Sequence, residues 1–140
     1  MPPPAVMAVA ALLMWAVPGP GFHSPVAIAI GLFAAGLAIG IGAFLQFRKA
    51  GTTINPMTPQ ASSALVTGGF FAWSRNPIYV ADVLVLLGAA LWSGNLFAFV
   101  FVPLFVAFID RFQIRPEERA LRARFGEEYE RYCAKVRRWL

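Results

Sequence analysis

Three short stretches of this chain hold most of its chemically capable side chains. The first is Thr67-Gly68-Gly69, whose glycines allow a ligand to approach the backbone closely. The second is Arg75-Asn76-Pro77-Ile78-Tyr79, with Pro77 well placed to begin a helix. The third is the C-terminal tail, which carries Glu117, Glu118, Tyr129, Tyr132, Arg137 and Arg138. Together they offer carboxylates for ribose hydroxyls, arginines for a carboxylate, and aromatic rings for a flat base or a cation. That inventory suits a zwitterionic, nucleotide-like ligand.

Other chemistries have little to work with. Cys133 is the only cysteine, so an intrachain disulfide and a cysteine-based zinc cluster are excluded, and no metal site is expected. The one histidine, His23, stands alone in a turn. Asp82 is the single acid of an otherwise apolar run, about one turn beyond Tyr79 and on the same face. A charge inside a membrane helix is costly and often functional, although one this near an interface can also reach water.

The elements that position these groups follow from hydropathy. Of 140 residues, 59% are apolar and only 14% charged, a composition suited to the bilayer as solvent. A spanning helix needs roughly 20 apolar residues. Four windows read as transmembrane helices, at about 4–17, 25–47, 77–92 and 95–109. Short turns at 18–24 and 93–94 join them into two hairpins. The first window lacks the basic flank and cleavage site of a signal peptide and is taken as a membrane helix. The fold expected is therefore all-α: one integral membrane domain over 1–140, with four transmembrane helices, a loop at 48–76 and a helical tail at 110–140.

Charge sets the orientation. Arg48 and Lys49 follow the second helix, Arg75 precedes the third, and the other nine basic residues lie between Arg111 and Arg138. The hairpin turns contain none. By the positive-inside rule the loop, the tail and both termini are cytoplasmic, which in a bacterial cell means the inner membrane. Trp15 and Trp92 would anchor the outer interface, and Trp73 and Trp139 the inner one. The net charge of +5 does not point to nucleic acid, because the tail also holds five glutamates. Membrane lipid is the expected partner. Gly36 and Gly40 form a small-residue face that permits helix pairing, within the chain or in a homo-oligomer.

The loop mixes turn formers (Asn55-Pro56, Thr58-Pro59, Gly68-Gly69) with apolar Ile54, Leu65, Val66, Phe70 and Phe71. That mixture suggests packing at the membrane interface. In the tail, Pro116, Glu117 and Glu118 suit a helix N-terminus. Leu121, Phe125, Tyr129, Tyr132, Val136 and Leu140 then recur every three or four residues as one stripe, with Gly126 dividing it. Such a stripe lies either on lipid headgroups or, as a lid, on the helix ends.

The stretch from Gly51 to Leu140 resembles the isoprenylcysteine carboxyl methyltransferase family in its short bacterial form. It is similar, more distantly, to membrane phospholipid N-methyltransferases. The residues that carry this are Gly51-Thr52-Thr53-Ile54-Asn55-Pro56, Leu65-Val66-Thr67-Gly68-Gly69 and Ser74-Arg75-Asn76-Pro77-Ile78-Tyr79. They are followed by Glu117-Glu118, Leu121, Phe125-Gly126, Tyr129, Tyr132, Val136 and Arg138-Trp139. The resemblance implies S-adenosylmethionine as methyl donor. It maps cofactor contacts onto Arg75, Asn76, Pro77, Tyr79, Glu118 and Tyr132, with Val66, Thr67, Gly68 and Gly69 contributing backbone. Glu117 and Tyr129 join this set by their position beside it.

The acceptor would be lipophilic or small, a carboxylate, thiol or amine, and would enter sideways from the bilayer. Arg137 or Arg138 would hold an anionic acceptor group and Glu128 would orient it. The chain departs from the family pattern in two places. Gly69-Phe70-Phe71-Ala72 replaces the commoner Gly-Pro-Tyr-Arg, and Asn76 stands where many members have histidine. Asparagine does not titrate near neutral pH, so catalysis by positioning is expected. Rival readings are a nicotinamide-dependent reductase related to sterol reductases, a non-catalytic scaffold, and a small multidrug-type transporter. The transporter would need an acid in the first helix, which has none.

Overall fold

The computed structural model describes residues 3–51 and 63–140. Their regular elements are helical. Four of them are α1 (Pro3–Ala16), α2 (Val26–Lys49), α3 (Pro77–Ser93) and α4 (Phe101–Ile109), the last preceded by a 3₁₀ turn at Leu96–Val100. The tail forms α5 (Arg115–Phe125) and α6 (Glu127–Lys135). The first three expected apolar windows each coincide with a helix to within a residue or two at either end, and the fourth, 95–109, takes in the 3₁₀ turn together with α4. Thr52 to Pro56 of the family-like motif, and the Thr58-Pro59 turn, lie outside the described residues.

Local chemistry sets the element ends. Pro77 opens α3, where its missing N–H costs nothing, and Gly94 closes it in the left-handed region at φ 61°. The Asn95 side chain then accepts the Phe97 N–H at 2.9 Å and donates to the Val17 carbonyl at 2.7 Å. Phe22 N–H bonds the Gly94 carbonyl at 2.8 Å, and Leu96 N–H bonds that of Pro20 at 3.0 Å. The two hairpins are thus stitched together at their turns.

Pro116 takes the first-turn position expected of it in α5, with Glu117 and Glu118 beside it, but no break separates α5 from the helix before it. The chain runs helically from Leu96 through Phe125, with a π-helical turn at Asp110–Ile114. The cause is Pro116 itself: it lacks an N–H, and its ring crowds the carbonyl four residues back. A wider turn, with the Arg115 N–H reaching back to the Asp110 carbonyl, relieves that crowding. Gly126, at φ 51°, divides α5 from α6 as the sequence suggests.

Two helices, Val26–Lys49 and Leu96–Phe125, are long and apolar enough to cross a membrane. The shorter helices α1 and α3, with 14 and 17 residues, are equally apolar. At ~1.5 Å per residue they reach roughly 21 and 26 Å, short of a ~30 Å hydrocarbon layer. α2 leaves Ile28, Ile30, Leu37, Ile41 and Leu45 exposed, as expected where an apolar solvent covers that face.

The first core lies between α1, α3 and α4, around Met14, Leu86, Ala90, Phe105, Ile109 and Ile114. α2 packs along the other side of α3. Gly36 makes that contact close: a Cβ there would meet Val85 Cγ2 at 2.8 Å and the Ala81 carbonyl oxygen at 2.9 Å. The small-residue face is therefore occupied within the chain at Gly36.

Candidate functional site

The charged end of the bundle is organised by one carboxylate. Glu118, in the first turn of α5, is buried. Arg75 Nη2 donates to its Oε1 at 3.0 Å, while Arg138 donates through Nε at 3.0 Å and through Nη2 to Oε2 at 2.7 Å. Arg138 Nη1 also reaches Asp110 Oδ1 at 3.1 Å, and Asp110 is held in turn by Arg115 Nε at 2.8 Å. The bond to Glu118 pushes the Arg138 guanidinium above its ordinary pKa. Backbone contacts run alongside. Arg75 N–H donates to the Arg137 carbonyl at 3.0 Å, and Asn76 Nδ2 donates to the Arg138 carbonyl at 2.9 Å. A buried charge is tolerable only when paired in this way. The result is a latch that ties the chain's last residues to the loop before α3.

The tail's apolar stripe completes the latch. Tyr129, Tyr132 and Val136, with Leu121 and Phe125 beside them, pack on Ala43, Phe47, Leu65, Val66, Phe71 and Ile78. Of the two placements open to it, the stripe takes the one against the helix ends. Leu140 departs from it and is exposed, and Trp139 packs into the first core instead. The Tyr132 hydroxyl donates to the Phe71 carbonyl at 2.6 Å. Burial pushes the phenols of Tyr129 and Tyr132 well above their ordinary range, so both remain neutral. Tyr132→Phe leaves that carbonyl unpaired in the interior. It should cost about 1–3 kcal/mol, read as a lower unfolding midpoint in detergent.

In front of the latch is a cavity of about 480 Å³. α2 supplies Gly40, Phe44 and Phe47, spaced so that they share one face. The segment before α3 supplies Phe71, Arg75 and Asn76, and α3 itself Pro77, Ile78, Tyr79 and Asp82. Glu117 closes one wall, and Pro3 and Pro4 of α1 another. The Tyr79 hydroxyl donates to Glu117 Oε1 at 2.7 Å. Neighbouring helix residues point about 100° apart, which explains how Glu118 serves the latch while Glu117 faces the cavity. Arg75 Nε is buried and has no hydrogen-bond partner.

Of the residues singled out from sequence, Arg75, Asn76, Pro77, Tyr79 and Glu117 line this one cavity. Glu118, Tyr129 and Tyr132 stand behind it as support. Val66 packs in the second core. Thr67 and Gly68 are exposed. Gly69, at φ 57°, lies in a second cleft with Gly42, Gln46, Phe70 and Trp73. Arg137 and Glu128 are exposed, and neither they nor Arg138 lines the cavity. Sequence reasoning missed Gln46, which clasps the glycine turn by bonding the Gly68 carbonyl at 3.0 Å and the Phe70 N–H at 3.2 Å. It also missed Asp110, Phe44 and Phe47. Only the one-face spacing of the two phenylalanines with Gly40 could have marked them.

Comparison with known proteins places this arrangement. The phospholipid methyltransferase family matches residues 25–128. The chain is 48% identical over 63 residues to an uncharacterized protein of Haemophilus influenzae, across 45% of this chain and 100% of that one. It is 32% identical over 111 residues to the protein-S-isoprenylcysteine O-methyltransferase of Schizosaccharomyces pombe. That match covers 77% of this chain and 46% of the yeast protein, so the chain spans about half the length of that relative. No solved structure matches. These similarities support an enzyme and do not favour a reductase. A match running from the start of α2 into α6 takes in the cavity's lining apart from Pro3 and Pro4, together with Arg75, Asp110 and Glu118 of the latch, and the chain belongs to the phospholipid methyltransferase family of membrane methyltransferases.

Proposed function

We propose that this chain binds S-adenosylmethionine in the cavity at the charged end of the bundle and directs its methyl group to a lipophilic or small acceptor at the cytoplasmic face of the inner membrane. In this reading α1 to α4 are four membrane crossings, and the loop, the tail and both termini are cytoplasmic. The observation that carries the proposal is the cavity's mixed lining. Arg75, Asn76, Tyr79 and Glu117 give it a polar end, and Phe44, Phe47, Phe71 and Ile78 give it apolar walls. A water-soluble cofactor and a membrane-soluble acceptor need such a junction. Its volume of about 480 Å³ lies within the range of roughly 300–1,000 Å³ usual for small-molecule sites.

The residues present fit the cofactor. The unpartnered Nε of Arg75 is a donor for a carboxylate. Glu117 accepts from hydroxyl or ammonium groups, and the phenylalanine rings suit a purine face. When bound, S-adenosylmethionine supplies an electrophilic methyl on a sulfonium. The chain's part is to hold the acceptor in line and to keep water out, which the aromatic walls and the packed tail favour. Asn76 orients and does not titrate, so a thiolate or carboxylate acceptor would need no base from it, and an amine must lose its proton before it accepts the methyl.

Calorimetric titration of the purified protein in detergent tests this. S-adenosylhomocysteine should bind and NADPH should not. Binding of NADPH alone would overturn the methyltransferase reading, and binding of neither would leave a scaffold.

A further inference from the structure

Asp82 is the one acid of the cavity region that the protein leaves unmatched. Glu118 is held by Arg75 and Arg138, Asp110 by Arg115 and Arg138, and Glu117 by the Tyr79 hydroxyl. Among the described residues Asp82 has neither a hydrogen bond nor an ion pair, although it sits half-buried in the apolar helix α3. A carboxylate there is costly, and such groups persist where they meet a partner or a water-filled path. The cation among the cavity's lining residues, Arg75, already has its Nη2 on Glu118. The rings of Phe44, Phe47 and Tyr79 share the lining, and ring faces attract positive charge. An aromatic cavity with a free negative group and its own cation already paired is complementary to an organic cation.

We propose that Asp82 is the counter-charge for an onium group bound in this cavity, either the sulfonium of the methyl donor or the ammonium of an amine acceptor. The inference rests on the function proposed above and deepens it by naming the charge that the cavity selects.

The two sources separate in a binding experiment. Wild type, Asp82→Asn and Asp82→Glu, purified in detergent, are titrated with S-adenosylmethionine and with S-adenosylhomocysteine, which lacks the positive charge. They are also titrated with mixed micelles containing phosphatidylethanolamine or phosphatidylglycerol. If the sulfonium faces Asp82, D82N weakens S-adenosylmethionine binding about tenfold or more and leaves S-adenosylhomocysteine binding unchanged. If an ammonium faces it, both nucleosides bind D82N normally. Binding of phosphatidylethanolamine micelles then falls by a similar factor, with phosphatidylglycerol unaffected. D82E keeps the charge and should retain the wild-type preference in either case.

D82N behaving as wild type toward all four probes would overturn the inference while leaving the proposed function standing. Equal losses for both nucleosides would do the same. Wild-type protein that binds neither nucleoside would overturn the function and the inference together.

Discussion

Glu118→Ala should lower the stability of the folded chain by about 3–5 kcal/mol, the cost of removing one partner from a buried ion cluster. Two arginines lose their shared acceptor at once, since Arg75 and Arg138 both bond this carboxylate. Arg75 suffers more, because its side chain is only 12% exposed and water cannot take the place of the lost carboxylate. Arg138 keeps Asp110 as a partner, so the last residues loosen without losing every tie. Two readouts separate latch from general destabilisation. The unfolding midpoint in detergent should drop, and backbone amides hydrogen-bonded across the latch, that of Arg75 first, should exchange faster under native conditions. Unchanged protection at Arg75 would show that Glu118 does not hold the tail in place.

Gly36→Leu should be comparably damaging for a different reason. A Cβ at this position already falls within 3 Å of the Ala81 carbonyl oxygen, and backbone gives way less readily than a side chain. Overpacking of this kind costs typically 1–3 kcal/mol, and about the upper end is expected where α2 must move away from α3 as a whole. The same displacement would shift Gly40, Phe44 and Phe47 relative to Tyr79 and Asp82, so binding in the cavity should weaken along with stability. Gly31→Leu is the control, since its added Cβ would have no neighbour within 4 Å. Equal unfolding midpoints for the two variants would contradict the close packing of α2 on α3.

Much of this arrangement was legible in the sequence because it depends on local signals. Apolar runs, with Asp82 as their one charged residue, marked the helices of the bundle. Pro77 marked the start of α3, Gly126 marked the division of the tail, and the three-to-four spacing of Leu121, Phe125, Tyr129 and Tyr132 marked an apolar stripe, though not which surface it covers. The parts that were not legible depend on partners far apart in the chain. Nothing local distinguishes Glu118 from Glu117, yet one completes an ion cluster with residues 43 and 20 positions away, and the other faces a cavity. Asp110 gave no signal as the second anchor of Arg138, because an acid at the end of an apolar helix is ordinary. Continuity through the π-helical turn was hidden because Pro116 suits a helix start as well as it suits a widened turn. Asp82 was conspicuous as the lone acid of α3, but its place on the cavity wall follows only from the way α2 and α5 pack around it.

In the proposed function, cofactor and acceptor meet in one cavity, between α2, α3 and the latched tail. Photolabelling the purified protein with a crosslinking analogue of S-adenosylmethionine, followed by peptide mapping, tests it most directly. The label should fall on Gly40 to Phe47 and on Phe71 to Asp82, and excess S-adenosylhomocysteine should compete it away. Competable label confined instead to Thr67–Gly69 and the exposed face of α6 around Glu128 would place the cofactor outside this cavity and overturn the proposed site.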